Sequence, residues 1–362
     1  MIKRKFYLEK IVKLIDTEDI KVITGVRRCG KTVLLKQIID ELENRGIASE
    51  NIIYMSFESS KYKNIRNDDD LDEFIFSKTN NLNGKIYLLF DEIQKVKNWE
   101  VSLNSYRVDL ECDIYITGSN SQLLSGELAT LISGRYISIN MLPFSFKELI
   151  QYYDEMHENI DEIKLFEQYL SYGGFPGLLN YENEEKEKYL YDLYSTIVLN
   201  DILYKNKVKD LDLLERLMEF MISNIGQLFS ANSISKYIKN ENRKTTPHTI
   251  INYMDYARNA FIFYQIKREN IKQKRKLLIS DKYYLVDSGF YFIFNGSTQR
   301  NWGQLLENIV FLELIRLITA SAFVKSIFPF KKALLENSPG SASLAPFDNT
   351  NSMTLLTEVL PP

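Results

Sequence analysis

Residues 25–32 read Gly25-Val26-Arg27-Arg28-Cys29-Gly30-Lys31-Thr32, which fits G-x-x-x-x-G-K-[ST] at every fixed position. The octapeptide stands between a short apolar run, Val22 and Ile23, and a stretch of helical periodicity from Val33 to Leu42. A strand, a glycine-bracketed loop and a helix in that order leave few choices. The loop turns successive backbone N–H groups inward, and a ring of such donors cradles phosphate oxygens. Gly25 and Gly30 permit the backbone angles. A helix beginning at about Lys31 aims its free N–H groups and positive dipole end at the same place. Lys31 is placed to reach the β and γ oxygens of a nucleoside triphosphate, and the Thr32 hydroxyl to hold Mg²⁺. Val26, Arg27, Arg28, Cys29 and Val33 complete the candidate nucleotide-binding set.

The surrounding pattern predicts an α/β domain. A short amphipathic helix over 6–15 leads into a first strand at 20–24, and Asn51 to Phe57 is β-branched and aromatic enough for a second. Asp68-Asp69-Asp70 reads as a solvated helix start rather than a metal site. Lys85 to Phe90 is apolar on both faces and ends in Asp91-Glu92, as a parallel strand covered by helices does. Ligands bind at the carboxyl ends of such strands. Coming about 60 residues after the loop, Asp91 is therefore read as the second magnesium ligand and Glu92 as the group that polarises an attacking water. Asp113 to Asn120 is another buried strand whose small polar tip, Ser119 or Asn120, either orients that water or caps a helix over 121–132. Ser133-Gly134-Arg135 precedes a fifth strand, Tyr136 to Asn140. Arg135 points away from its own phosphate site: it reaches a neighbouring subunit's nucleotide in a homo-oligomer, or it is a surface arginine.

These residues, together with Leu142-Pro143-Phe144-Ser145-Phe146-Lys147-Glu148-Leu149, carry a resemblance. From about residue 1 to 317 the chain is similar to prokaryotic AAA+ superfamily ATPases with an AAA_14-type N-terminal domain and a C-terminal domain of unknown function of the DUF4143 type. The resemblance implies a P-loop NTPase sheet in the order 5-1-4-3-2, with Glu92 as catalytic base, Asn120 as sensor and Arg135 as arginine finger. It likens Tyr172-Gly173-Gly174-Phe175-Pro176 to the family's lid.

Beyond residue 150 the pattern is helical at 161–172 and 184–204, on either side of that turn. From 211 it becomes three helices (211–225, 230–238, 246–259) and two strands (261–267, 283–286), which reads as a winged helix-turn-helix. In that reading the helix from Thr246 presents Thr249 and Asn252 to DNA bases, and Lys272, Lys274, Arg275 and Lys276 lie along phosphates. The other reading is a protein-binding winged helix with a solvated hairpin. Residues 288–317 look helical. By the resemblance, Leu306-Glu307-Asn308 opens a nuclease-like module whose next acidic strand does not follow, so no nuclease activity is expected. The final 44 residues hold five of the eight prolines and none of the 23 tyrosines, which reads as loop or disorder from a truncated or frame-shifted end. The expected division is an ATPase domain over 1–150, a lid over 151–209, a winged helix over 210–287, a degenerate module over 288–317 and a divergent tail over 318–362.

At 362 residues the chain needs more than one core, and its net charge of -3 carries no global nucleic-acid signal. Two cysteines make no disulfide framework, the basic N-terminus lacks a signal peptide's apolar run, and no stretch is long enough to span a bilayer. A cytoplasmic protein that does not enter membranes is expected. No Asn-Lys-x-Asp motif favours guanine. The expected function is an ATP- and Mg²⁺-dependent switch that acts on DNA, or alternatively a nucleotide-gated protein-interaction module with little turnover and no DNA binding.

Overall fold

In the computed structural model the described residues are 2–124, 135–157, 160–240, 245–267, 280–296 and 301–320. Helix α1 (Lys5–Val12) precedes β1 (Ile20–Thr24), and α2 (Lys31–Asn44) follows the glycine loop. Then come β2 (Ile52–Ser56), α3 (Asp68–Thr79), β3 (Ile86–Asp91), α4 (Trp99–Asp109), β4 (Cys112–Gly118) and β5 (Tyr136–Asn140). The five strands are parallel in the order β2-β3-β4-β1-β5, which is the expected 5-1-4-3-2 read from the other edge.

Strands β1 and β3 are buried at every residue, because both faces of the sheet are covered. Alternate side chains enter two different apolar layers. Val22, Leu88, Phe90, Ile114 and Ile116 meet Leu71 and Ile75 of α3 and Leu103 and Tyr106 of α4. Ile23, Leu89 and Tyr115 meet Tyr7 and Ile11 of α1 and Leu34, Leu35 and Ile38 of α2. Polar Lys21 survives inside β1 because its ammonium donates to Asp113 Oδ1 at 2.5 Å and to the Thr17 carbonyl at 2.8 Å. The acidic run does open a helix: Asn67 caps α3 by accepting from the Asp70 N–H at 2.9 Å.

The C-terminal part comprises α5 (Phe146–Glu155), α6 (Glu162–Tyr172), α7 (Asn183–Ile197), a π-helical turn (Val198–Tyr204), α8 (Leu211–Ser223), β6 (Leu228–Phe229), α9 (Ala231–Asn240), α10 (Pro247–Asn259), β7 (Phe263–Ile266), β8 (Asp281–Leu285), α11 (Gly289–Asn295) and α12 (Trp302–Ala320). Strands β6, β8 and β7 make a second, antiparallel sheet. The two-residue β6 is too short to leave a period-2 signal and is absent from the sequence reading. The basic residues Lys272, Lys274, Arg275 and Lys276, most of the helix expected at 121–132, and the tail after Ala320 lie outside the described residues. The described residues belong to one compact unit.

The expected lid turn is held by a buried carboxylate. Asp287 accepts from the N–H of Gly174 at 2.8 Å and of Gly289 at 2.9 Å. Gly173 lies so close that a Cβ there would fall 1.6 Å from Asp287 Oδ1. Burial pushes the Asp287 carboxyl up to about 7, against the lowering pull of those two N–H groups. Its folded value thus exceeds its unfolded one, so the stability it contributes is present at about pH 4 and lost as pH rises through 7. Chemical denaturation at pH 4.5, 6 and 7.5 is expected to show the wild type losing stability relative to Asp287→Asn across that window.

Candidate functional site

The phosphate loop leaves the carboxyl end of β1 and returns into α2 through residues that favour glycine: Gly25 has φ +150° and Gly30 has φ +106°. A Cβ on Gly25 would stand 2.1 Å from the Met141 carbonyl, so the loop passes tightly under the end of β5. Arg28 also sits at positive φ, +63°. Lys31 is the first residue of α2, and its ammonium folds back onto the Gly25 and Val26 carbonyls at 3.0 and 3.1 Å. Cys29 is fully buried, which raises its thiol above the ordinary range.

At the carboxyl end of β3, one strand beyond β4, Asp91 is 1% exposed and accepts three hydroxyls: Thr32 at 2.9 Å, Ser56 at 3.2 Å and Thr117 at 2.7 Å. Among the described residues no group of three or more His, Cys, Asp or Glu side chains is placed to hold a metal. Magnesium does not require such a cage: it takes one or two protein oxygens and fills its octahedron with phosphate and water. Thr32 and Asp91 provide a hydroxyl and a carboxylate already in contact, so the donor set fits.

Glu92 follows in the left-handed region at φ +56°, which swings its side chain out of the strand and toward the loop. Its carboxylate is 3.8 Å from the Lys31 ammonium and accepts from Ser119 at 3.2 Å and from the Gln94 amide. Asn120 is buried at the tip of β4 beside Ser119. Arg27, Glu92, Ser119 and Asn120 share one cleft of ≈ 690 Å³ with Asp201 and Lys205 of the C-terminal part. The structure therefore brings together Lys31, Thr32, Asp91, Glu92 and Asn120. It sets Arg135 apart: exposed, its carbonyl accepts from Ile20 N at 3.0 Å, so it lies at the amino end of β1, opposite the loop.

Several residues here were invisible in the sequence. Arg4, only 1% exposed, donates to Glu148 Oε1 at 2.6 Å, to the Cys29 carbonyl at 2.9 Å and to the Leu142 carbonyl at 2.8 Å, which braces the loop from behind. Its guanidinium lies over the Tyr7 and Phe144 rings at 4.9 and 4.7 Å. Glu148 also closes a capping box with Ser145 at the start of α5, and that Ser-x-x-Glu spacing is a signal the sequence did carry.

Thr249 and Asn252 lie on α10, half-buried in a second cleft of ≈ 880 Å³ with Lys207, Lys209 and Lys239. Thr249 is partly engaged in the helix cap, its hydroxyl 2.9 Å from that of Thr246. Glu307 is bound by Lys282 at 2.8 Å and Tyr284 at 2.6 Å, while the Asn308 amide both accepts from and donates to the Leu285 backbone, at 2.7 and 3.0 Å. In this chain Glu307 and Asn308 fasten α12 to β8.

Comparison with known proteins agrees with this architecture. A family profile described as an AAA domain matches residues 17–150, and one described as a domain of unknown function, DUF8612, matches residues 163–320. The C-terminal name is thus DUF8612, where the sequence resemblance had implied DUF4143. An uncharacterized protein of Haemophilus influenzae is 44% identical over 318 residues, covering 87% of this chain and 79% of that one. An uncharacterized protein of Methanocaldococcus jannaschii is 32% identical over 313 residues, covering 84% and 68%. The Walker-type ATPase PABY2304 of Pyrococcus abyssi superposes with a TM-score of 0.57 at 14% identity, over 81% of this chain and 96% of that one, and shares the fold. No helix among the described residues is long and apolar enough to cross a membrane. The chain belongs to the family of P-loop AAA-domain proteins whose C-terminal part is a DUF8612 domain.

Proposed function

We propose that this protein is a Mg²⁺-dependent ATPase that works as a molecular switch. The observation that carries the reading is the contact between Thr32 and Asp91, 2.9 Å apart, with the Lys31 ammonium 3.8 Å from the neighbouring Glu92 carboxylate. In this reading the loop N–H groups and the start of α2 bind the triphosphate, and Lys31 supplies positive charge where negative charge grows in the transition state. Magnesium, held by Thr32 and Asp91, neutralises phosphate charge when bound. Glu92 accepts the proton of an in-line water that Asn120 helps to orient, and Ser119 and Gln94 hold the Glu92 carboxylate in position. Residues 151–209 act as the lid, since Asp201 and Lys205 line the cleft opposite the loop. Arg135 acts on a neighbouring subunit's nucleotide, which its place at the far end of the sheet supports.

A second reading concerns the partner. Residues 210–287 act as a winged helix, and three lysines around Thr249 and Asn252 favour a polyanion such as DNA in the α10 cleft. One experiment tests both: phosphate release from MgATP, with and without duplex DNA, at 50 and 200 mM salt. Turnover stimulated by DNA, with stimulation that falls steeply at the higher salt, is the expected result. Turnover indifferent to DNA moves the partner to a protein, and no saturable ATP binding removes the switch altogether.

A further inference from the structure

One arginine of the phosphate loop sends its side chain into the C-terminal part. Arg27 makes a two-point contact with Asp201, Nε to Oδ2 at 3.1 Å and an Nη to Oδ1 at 3.2 Å. Glu58 stands 3.8 Å from the same guanidinium on the other side. The bond to Asp201 is the chief reason that Arg27 is held charged even more firmly than a free arginine. Yet this guanidinium opens on the cleft that contains Glu92, Ser119 and Asn120.

A triphosphate seated in the loop brings several negative charges next to a cation whose hydrogen bonds now go to Asp201, with Glu58 3.8 Å away. Phosphate oxygens and a carboxylate compete for the same fork of N–H donors, and both cannot hold it in the same geometry. We propose that Asp201 is a positioning residue of the nucleotide site: it holds Arg27 across the cleft until a triphosphate takes the guanidinium over, and that exchange frees the turn that carries Asp201. The proposal rests on the nucleotide reading given above.

The turn itself is suited to such an exchange. Val198–Tyr204 is π-helical, directly continuing α7, and a π turn can pass to α geometry by a one-residue change of register. Asp201 is 8% exposed, so without Arg27 it becomes a buried, unpaired charge unless the turn moves toward water or toward Lys205, whose charge it already favours. The chain then runs directly into Lys207 and Lys209, which line the α10 cleft. Residues 200–209 therefore border both clefts, and a shift at Arg27 is felt at the second one.

The test is calorimetric titration of MgATP into wild type, Asp201→Asn, Arg27→Gln and the double variant, with hydrogen exchange on the wild type. Asp201→Asn is expected to bind about tenfold more tightly, and Arg27→Gln about tenfold more weakly. The gain from Asp201→Asn should vanish in the Arg27→Gln background, as coupling through one pair requires. In the wild type, MgATP should speed exchange of the 198–205 amides, a readout that needs no variant. Unchanged or weaker binding by Asp201→Asn, a gain that persists without Arg27, or unaltered exchange overturns the proposal. Absence of binding by the wild type itself defeats the nucleotide reading, whereas wild-type binding that Lys31→Ala loses and Asp201→Asn leaves untouched defeats only this inference.

Discussion

Lys31→Ala is expected to weaken ATP binding by about 100-fold or more, because it removes a buried cation that the Gly25 and Val26 carbonyls hold at the phosphate site. Two of those carbonyls lose their donor and the Glu92 carboxylate loses the ammonium 3.8 Å away, so the loop forfeits charge and shape together. Glu92→Gln is expected to behave differently. Glutamine keeps the size of the side chain and can still meet Ser119, so the site retains ATP. Without a proton acceptor, turnover falls by about 100- to 10,000-fold. Equilibrium binding of a fluorescent ATP analogue, set beside single-turnover phosphate release, separates the two effects. An equal loss of binding in both variants contradicts the roles assigned to them.

Arg4→Met is expected to cost about 3–5 kcal/mol of stability, since it strands Glu148 as a buried carboxylate. Methionine fills much of the volume but supplies none of the bonds to Glu148, Cys29 and Leu142. Adding Glu148→Gln should restore part of the loss, because the uncompensated charge is then gone. Urea unfolding of the two single variants and the double reads this directly. Equal stability of wild type and Arg4→Met shows that the buried contact is energetically empty.

The sheet was legible because its central strands are buried on both faces and carry runs such as Ile86 to Phe90, and the cradle because glycine, lysine and threonine fall at fixed spacing. Helix α4 was harder to see. Its inward residues Trp99, Leu103 and Tyr106 keep helical spacing, but Val101 and Val108 point outward, 49% and 78% exposed, and blur the stripe. Partners far apart in sequence left no trace: Arg4 and Glu148 are separated by 144 positions, Arg27 and Asp201 by 174. Local periodicity carries no information about which charges meet across such distances. Thr249 and Asn252 were chosen for their helix face alone, and the segment that walls their cleft, with Lys207 and Lys209, comes from before α8.

The apolar layer beneath α1 and α2 continues without a break into the C-terminal part, where Leu190, Leu213, Ile222 and Phe290 belong to the same cluster as Leu34 and Ile38. Polar stitches cross the same seam, among them Phe144 N to Gly174 O at 2.7 Å, Arg316 to the Pro143 carbonyl at 2.7 Å and Asn140 to the Tyr264 hydroxyl at 2.9 Å. The interval 151–162 between the two family matches is thus no mechanical boundary. A severed N-terminal fragment would bare an oily flank and precipitate, and a chimera that exchanged one half for a distant cousin's would need a matching seam before it could fold.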